Sequence, residues 1–266
     1  MRENPVKRTL AAGGTAIGTM VFEFATPGIA RIAAAAGAEF VIFDLEHTGW
    51  SIETIRWLIA TAGAADLVPA VRVPATEYHL LSRPLDVGAM GLMVPMVESE
   101  AQARAIVRAA KYPPLGGRGA AFVIAHDDYA AGDVAAKMAS ANREGLIFAQ
   151  IETAAGVEQA AAIAAVEGID LLWIGHFDLS ASLGVPAQFE HPTFLRAVDR
   201  VLAAGARHGK AVGMMTADVA GGQALLAQGF RCLSYSGDLW VYGEALRQGI
   251  AGLRQGVPIA GPGPPR

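Results

Sequence analysis

Glu152 and Asp178 stand at the ends of two consecutive apolar runs, Leu146–Glu152 and Leu171–Gly175 with its following turn. If those runs are neighbouring parallel strands, their backbones lie about 4.8 Å apart. Carboxylates that close repel unless a proton or a cation intervenes. Oxygen donors without cysteine or clustered histidine favour Mg2+ or Mn2+, with water and substrate completing the shell. Capping of a helix, or pairing with an arginine, is the alternative use of the same groups. Arg72, inside Pro69-Ala-Val-Arg72-Val-Pro74, is out of place as a surface residue. Its guanidinium suits bidentate binding of a carboxylate or a developing enolate, or else a structural ion pair with Asp44 or Glu46. His47 directly follows Asp44-Leu-Glu46 and has the chemistry of a general base near neutral pH, although a lone histidine is more often structural.

The elements that must position these groups follow from hydropathy patterning. Short β-branched runs at 16–21, 40–46, 67–73, 91–97, 146–152, 171–175, 211–216 and 231–236 alternate with alanine-rich amphipathic stretches. Those stretches predict helices over 27–36, 52–64, 78–87, 100–110, 156–166, 193–208, 219–228 and 239–254. Continuous apolar runs are what parallel strands buried on both faces require. Glycines 37, 88, 168, 209 and 229 stand where helix C-caps tolerate left-handed backbone. Eight strand–helix units can close into an α/β (β/α)8 TIM barrel, whose active site lies at the C-terminal strand ends. A doubly wound open sheet would show a phosphate-binding glycine fingerprint after the first strand, and Gly18-Thr-Met-Val-Phe-Glu23 is not one. The expected organisation is one barrel over 1–256, a long functional loop at about 111–143, and a Pro/Gly-rich tail at 257–266.

Composition narrows the partners. The 266 residues are 53% hydrophobic and 17% charged with one cysteine, Cys232, so neither a disulfide scaffold nor a disordered chain fits. A net charge of −4 leaves no basic footprint for nucleic acid. No run of 18 strongly apolar residues suggests a membrane span. The stretch from Thr9 to Phe22 is too glycine-rich for a signal peptide and reads as a structural strand. The expected compartment is the cytoplasm.

Weaker signals have ordinary readings beside functional ones. Gly116-Gly117-Arg118-Gly119 either cradles an anion or is a flexible loop. His126, Asp127 and Asp128 are metal-ligand types, yet in a polar loop they more often make a solvated turn or cap. Met93, Met96, Met214 and Met215 read as barrel filling, and Trp50 and Trp240 as packing residues or as lining of the mouth.

Taken in order, the blocks Ala36-Gly37 with Phe-Asp44-Leu-Glu46-His47, Val71-Arg72-Val73-Pro74, Leu85-Asp86-Val-Gly88, Val94-Pro95-Met96-Val97 and Tyr112-Pro113-Pro114 resemble the HpcH/HpaI family of metal-dependent class II pyruvate aldolases. Gln150-Ile-Glu152-Thr153 and Gly175 with Asp178-Leu179-Ser180 continue the resemblance. It implies that Glu152 and Asp178 hold a divalent cation (Mg2+ or Mn2+, with Co2+ as a third option) that chelates a 2-oxoacid. Backbone amides of the Gly175–Asp178 turn, including His176 and Phe177, would bind the substrate carboxylate. Arg72 would stabilise the enolate oxygen and Gln150 would support the metal shell. His47, oriented by Asp44, would activate a water. Asp86 would act in a neighbouring subunit of a homo-oligomer, a hexamer built as a trimer of dimers, with the final helix at an interface.

The implied reaction is reversible aldol cleavage of a 4-hydroxy-2-oxoacid to pyruvate, or hydroxypyruvate, and an aldehyde, with oxaloacetate decarboxylation as a side activity through the same enolate. The chemistry stands on its own terms too. Lewis-acid polarisation of the keto oxygen and an adjacent cation both ease carbanion formation, and no lysine closes a predicted strand to make a Schiff base. Two other functions compete with this one. A CoA-thioester lyase of the citrate lyase β type would carry Asp-Leu-Glu-Asp where this chain has Asp44-Leu-Glu46-His47. A non-catalytic 2-oxoacid-binding barrel draws on one departure, Gly175-His176-Phe177-Asp178 in place of the family's Gly-Pro-x-Asp.

Overall fold

The computed structural model describes residues 2–255. Its strands are β1 (Ala16–Val21), β2 (Phe40–Asp44), β3 (Val68–Arg72), β4 (Gly91–Val94), β5 (Leu146–Ile151), β6 (Leu171–Ile174), β7 (Ala211–Thr216) and β8 (Cys232–Gly237). Each pairs in parallel with the next, and β8 pairs with β1, so the sheet closes in sequential order. This is the expected (β/α)8 barrel. The helices are α1 (Pro5–Ala11), α2 (Ile29–Ala35), α3 (Ile52–Gly63), α4 (Tyr78–Asp86), α5 (Glu100–Ala110), α6 (Val134–Glu144), α7 (Ala154–Ala164), α8 (His176–Ser182), α9 (Pro192–Arg207), α10 (Val219–Gln228) and α11 (Asp238–Arg254). Among the described residues no helix is long and apolar enough to cross a membrane.

Local chemistry explains where helices begin and end. Ser51, Ser99, Thr153 and Asp218 each accept a hydrogen bond from the backbone amide three residues on, satisfying one of the free donors of a helix start. The five glycines expected as C-caps all adopt positive φ, from 64° to 108°. Burial is continuous in β2 to β6 and interrupted in β1, β7 and β8, and the strands separate two apolar layers. The inner layer holds Phe40, Ile42, Met93, Phe148 and Trp173. The outer layer packs helices such as α3 and α5 onto alternate strand residues like Val41, Phe43 and Leu92.

Closure is reinforced at the seam between the first and last strands. Immediately after β8, the Asp238 carboxylate accepts the backbone amides of Phe22, Glu23 and Phe24 at 2.9, 3.0 and 2.7 Å. It clasps the exit of β1 to the start of α11, and charge-assisted bonds of this kind are about twice as strong as neutral ones.

Three expectations are corrected. The stretch from Thr9 to Phe22, expected as structural strand, begins instead inside α1, while β1 itself keeps the expected bounds 16–21. Asn4 caps α1 from Lys7 N, Pro5 occupies its first turn, and Val6 and Leu10, four residues apart on one face, pack into the inner layer. The segment 111–143, expected as loop, carries a 3-10 turn at Ala125–Asp127 and the start of α6, capped by the Asp133 side chain. The fourth strand ends at Val94, so Met96 lies off the barrel and is 48% exposed, whereas Met93 fills the interior as expected. Of the tryptophans, Trp50 packs against the outer layer and Trp240 stands half-exposed beside Phe22. The tail at 257–266 lies outside the described residues.

Candidate active site

Barrel closure brings the ends of β2, β3, β5 and β6 to one mouth, and the charged residues that terminate them meet there. Glu152, one residue past β5, is 2% exposed. Its two oxygens are held separately. Oε2 accepts from Gln150 Nε2 at 2.5 Å, and Oε1 accepts the backbone amide of Met96 at 2.7 Å. Met96 offers that amide because its backbone is left-handed, at φ 54°, a conformation costly for a side chain of this size and therefore enforced by its surroundings.

Burial pushes the Glu152 carboxyl up to about 7; the two hydrogen bonds pull against this, and the charges of Glu46 and Asp178 add to it. Glu46 is pushed up to about 7 by the same causes, burial first, with Arg72 opposing and Asp44 and Asp178 adding. Asp178 sits in the first turn of α8, open to solvent. The charge of Asp178 thus discourages ionisation of both Glu152 and Glu46.

Gly175 makes the arrangement sterically feasible. Its φ is −84°, so no special backbone is needed. The constraint is contact, because a Cβ at this position would lie 2.2 Å from Glu152 Oε2 and 3.2 Å from Gln150 Nε2. The β6–α8 turn passes directly over the carboxylate.

Arg72 ends β3 beside the end of β2, in register with Asp44. Its Nε donates to Asp44 Oδ1 at 2.6 Å and lies 3.3 Å from Glu46 Oε2. The ion-pair alternative is therefore realised, with Asp44 fully buried. It does not exhaust the guanidinium, since among the described residues neither terminal nitrogen has a hydrogen-bond partner.

The expected orientation of His47 by Asp44 is corrected. The Asp44 carboxylate accepts the backbone amides of Glu46 and His47, at 3.1 and 2.9 Å, and so fixes the turn rather than the ring. The ring itself, 58% exposed, has its Nε2 3.7 Å from Glu46 Oε2. That oxygen is buried and otherwise lacks a hydrogen bond, as does Gln150 Oε1.

His176 and Phe177 begin α8, and their rings stack at 4.6 Å. Burial holds the His176 imidazole down to about 4 against the pull of Asp178, so it is neutral at pH 7.

Asp86 is not brought to this mouth. It ends α4, which returns the chain to the opposite end of the barrel, and it accepts from Arg118 Nη2 at 2.6 Å. Arg118 is buried with its guanidinium 4.7 Å over the Tyr112 ring, so the arginine of the glycine cluster packs inward while Gly117 and Gly119 are exposed. Of the two ordinary readings of this segment, solvated turn or cap, Asp127 realises the cap: it is buried and accepts from Val123 N, Ile124 N and Lys137 Nζ. Its role is structural.

Two participants escaped the sequence reading. Glu46 reads in the sequence only as a candidate ion-pair partner of Arg72, which it is at 3.3 Å; its place beside His47 and its raised carboxyl have no signal there. The amide of Met96 had no signal, because left-handed backbone in a bulky residue leaves no compositional trace.

The chain has counterparts in sequence and in fold. The profile of the HpcH/HpaI aldolase/citrate lyase family matches residues 19–243. The chain is 35% identical over 255 residues to a 2-keto-3-deoxy-L-rhamnonate aldolase of Salmonella gallinarum, a match covering 93% of this chain and 92% of that one. The crystal structure of an HpcH/HpaI aldolase from Desulfitobacterium hafniense superposes with a TM-score of 0.91 at 35% identity, over 97% of this chain and 99% of the other. A family protein from Burkholderia cenocepacia follows at 0.88 and 32%, over 94% and 99%. With barrel and sequence in agreement over nearly the whole length, the chain belongs to the HpcH/HpaI aldolase/citrate lyase family.

Proposed function

We propose that the chain is a divalent-cation-dependent carbon–carbon lyase that cleaves a 4-hydroxy-2-oxoacid to pyruvate, or hydroxypyruvate, and an aldehyde, and joins them in reverse. The observation that carries this is the Glu152 carboxylate: buried, pinned by Gln150 and Met96, and facing two further carboxylates. Burying the Glu152 charge without a cationic partner costs several kcal/mol. A cation offsets the cost, and the all-oxygen donors suit Mg2+ or Mn2+. Among the described residues no three His, Cys, Asp or Glu side chains form a ready cage. Magnesium sites commonly rest on one or two carboxylates plus substrate, which fits Glu152 and Asp178.

The cation, when bound, supplies Lewis-acid polarisation of the keto oxygen of the 2-oxoacid. The free terminal nitrogens of Arg72 face the negative charge that grows on that oxygen as the C3–C4 bond breaks. Backbone amides of the Gly175–Asp178 turn orient the substrate carboxylate, with His176 and Phe177 shaping the wall beside it. His47 takes the C4 hydroxyl proton, directly or through a water, with the Glu46 carboxylate 3.7 Å from its ring. Return of a proton to C3 completes the methyl group of pyruvate. Oxaloacetate is open to the same electron flow, with carbon dioxide leaving in place of the aldehyde.

Cation dependence has a thermal signature. A carboxyl whose folded pKa lies above its unfolded value favours folding while protonated, and that contribution is lost as pH rises from about 4.5 through about 7. Mn2+ or Mg2+ competes with those protons, so its stabilisation is expected to be larger at pH 8 than at pH 5. At 100 times its Kd a ligand contributes about 2.7 kcal/mol, which is roughly 5–10 °C in Tm for a chain of this size. Scanning calorimetry at both pH values, with pyruvate release followed before and after EDTA, checks this. Equal shifts at the two pH values, or chelator-resistant turnover, would count against the reading.

Asp86 enters only if copies associate, because its own mouth is at the other end of the barrel. In the proposed homo-oligomer, a hexamer, α11 buries none of its side chains within the subunit and supplies contact surface. Mixing Asp86→Asn with His47→Ala subunits is expected to restore activity that neither variant has alone. A monomer by light scattering would remove the trans role.

A further inference from the structure

The peptides on either side of Met96 are both tethered. The one before it donates the Met96 amide to Glu152 Oε1 at 2.7 Å. The one after it is held at two atoms. Its carbonyl, that of Met96, accepts from Gln102 Nε2 at 3.0 Å, and its amide, that of Val97, donates to Gln150 O at 3.1 Å. Met96 joins these two peptides at φ 54°. A residue with a side chain leaves the left-handed region for negative φ unless its neighbours forbid it. Such a return would turn one peptide against the other and swing the Met96 amide away from Glu152.

Gln102 has the chemistry to forbid it. It stands in the first turn of α5, where the N-cap Ser99 accepts its backbone amide at 3.2 Å. Ser-x-x-Gln is a capping-box pattern, in which glutamate serves as well as glutamine. The Gln102 side chain does accept a backbone amide, that of Glu98, at 2.9 Å. Only an amide group adds two N–H donors to that acceptor. Here Nε2 donates to Met96 O and to Thr76 Oγ1, each at 3.0 Å. Thr76 lies four residues beyond Arg72, in the turn between β3 and α4. One half-buried side chain thus joins the turns that follow β3 and β4, the first leading from Arg72 and the second carrying the tether of Glu152.

We infer that Gln102 is a positioning residue of the active site: it fixes the peptide after Met96, keeps Met96 left-handed, and so keeps a backbone amide on Glu152. It touches neither substrate nor cation. Its effect on cation binding rests on the reading of Glu152 as a metal ligand given above.

Gln102→Glu separates this role from capping. An ionised glutamate keeps the acceptor for Glu98 N but offers no donor, so Tm is expected to change little. A crystal structure of the variant is expected to show Met96 at negative φ and its amide off Glu152. Mn2+ affinity by electron paramagnetic resonance is expected to fall about 10- to 100-fold, the usual effect of losing a partner that orients a metal ligand. Gln102→Ala, which loses cap and donors together, should match that fall and lose Tm as well. Glycine adopts left-handed backbone freely and needs no holder. The same Gln102→Glu change made in a Met96→Gly chain is therefore expected to cost less than about threefold in Mn2+ affinity. A Gln102→Glu structure with Met96 still at positive φ and still bonded to Glu152 would overturn the inference. Unchanged Mn2+ affinity with that bond lost, or an equal loss in the Met96→Gly chain, would overturn it too. A natural chain that binds no Mn2+, with the bond still lost in the variant, would instead sink the cation reading and leave Gln102 as the residue that fixes Glu152.

Discussion

Gly175→Ala is expected to lower pyruvate release at least about 100-fold while leaving the barrel folded. The added methyl would overlap Glu152 Oε2, at 2.2 Å, and come within 2.9 Å of its Cβ. Both are short-range contacts with a side chain already fixed at each oxygen by Gln150 and Met96. Relief requires moving either the carboxylate or the β6–α8 turn, and both carry groups assigned to substrate and cation. Misplacement of about 1 Å in such a set costs on the order of 100-fold, and overpacking costs about 1–3 kcal/mol of stability. The measurements are kcat, Tm and Mn2+ affinity by electron paramagnetic resonance, all three of which should fall. Gly28→Ala supplies the control, since the nearest atom to a Cβ there is 4.0 Å away, and it should keep its activity. Full activity in Gly175→Ala would mean that Glu152 has no fixed role.

Arg72→Met is expected to damage both chemistry and stability, and Arg72→Lys to separate them. The natural side chain neutralises Asp44, which is fully buried and otherwise bonded only to two backbone amides. Removing one member of a buried pair costs about 3–5 kcal/mol, because the other charge stays behind. Lysine restores a positive charge but has one nitrogen where arginine has three. It can meet Asp44 or the substrate oxygen, not both in the same geometry. The expected outcome is a large Tm loss for methionine and a small one for lysine. Both variants should lose about 100- to 1,000-fold in kcat, the usual effect of removing a donor to a developing oxyanion. Thermal melts beside steady-state kinetics decide it. A lysine variant with natural kcat would reduce Arg72 to the structural partner of Asp44.

The barrel was legible because parallel strands buried on both faces need unbroken apolar runs, and charged residues that end such runs have few structural uses. That logic found Glu152, Asp178 and Arg72 and brought them to one mouth. It failed where the answer depends on side-chain direction. Asp44 and His47 are three positions apart, yet the turn points the Asp44 oxygens at amides and leaves the ring to Glu46. Spacing along the chain carries no record of that choice. Seven residues are too few for helical periodicity to show, so α1 was invisible; its stability comes from docking Val6 and Leu10 on the barrel base. Met96 illustrates a third limit, since its backbone is imposed by neighbours distant in sequence.

The clasp between Asp238 and the exit of β1 has a consequence for biosynthesis. Thr19 and Tyr235, paired across the seam, are 216 positions apart. At about 5–20 residues per second, the ribosome releases the partner of β1 roughly 10–40 s after β1 itself. Through that delay the nascent chain presents an unpaired strand edge, the feature most prone to wrong pairing with other chains. The period of greatest aggregation risk is therefore set by the pace of translation and not by collapse of the finished polypeptide. It ends only when Asp238 has left the exit tunnel.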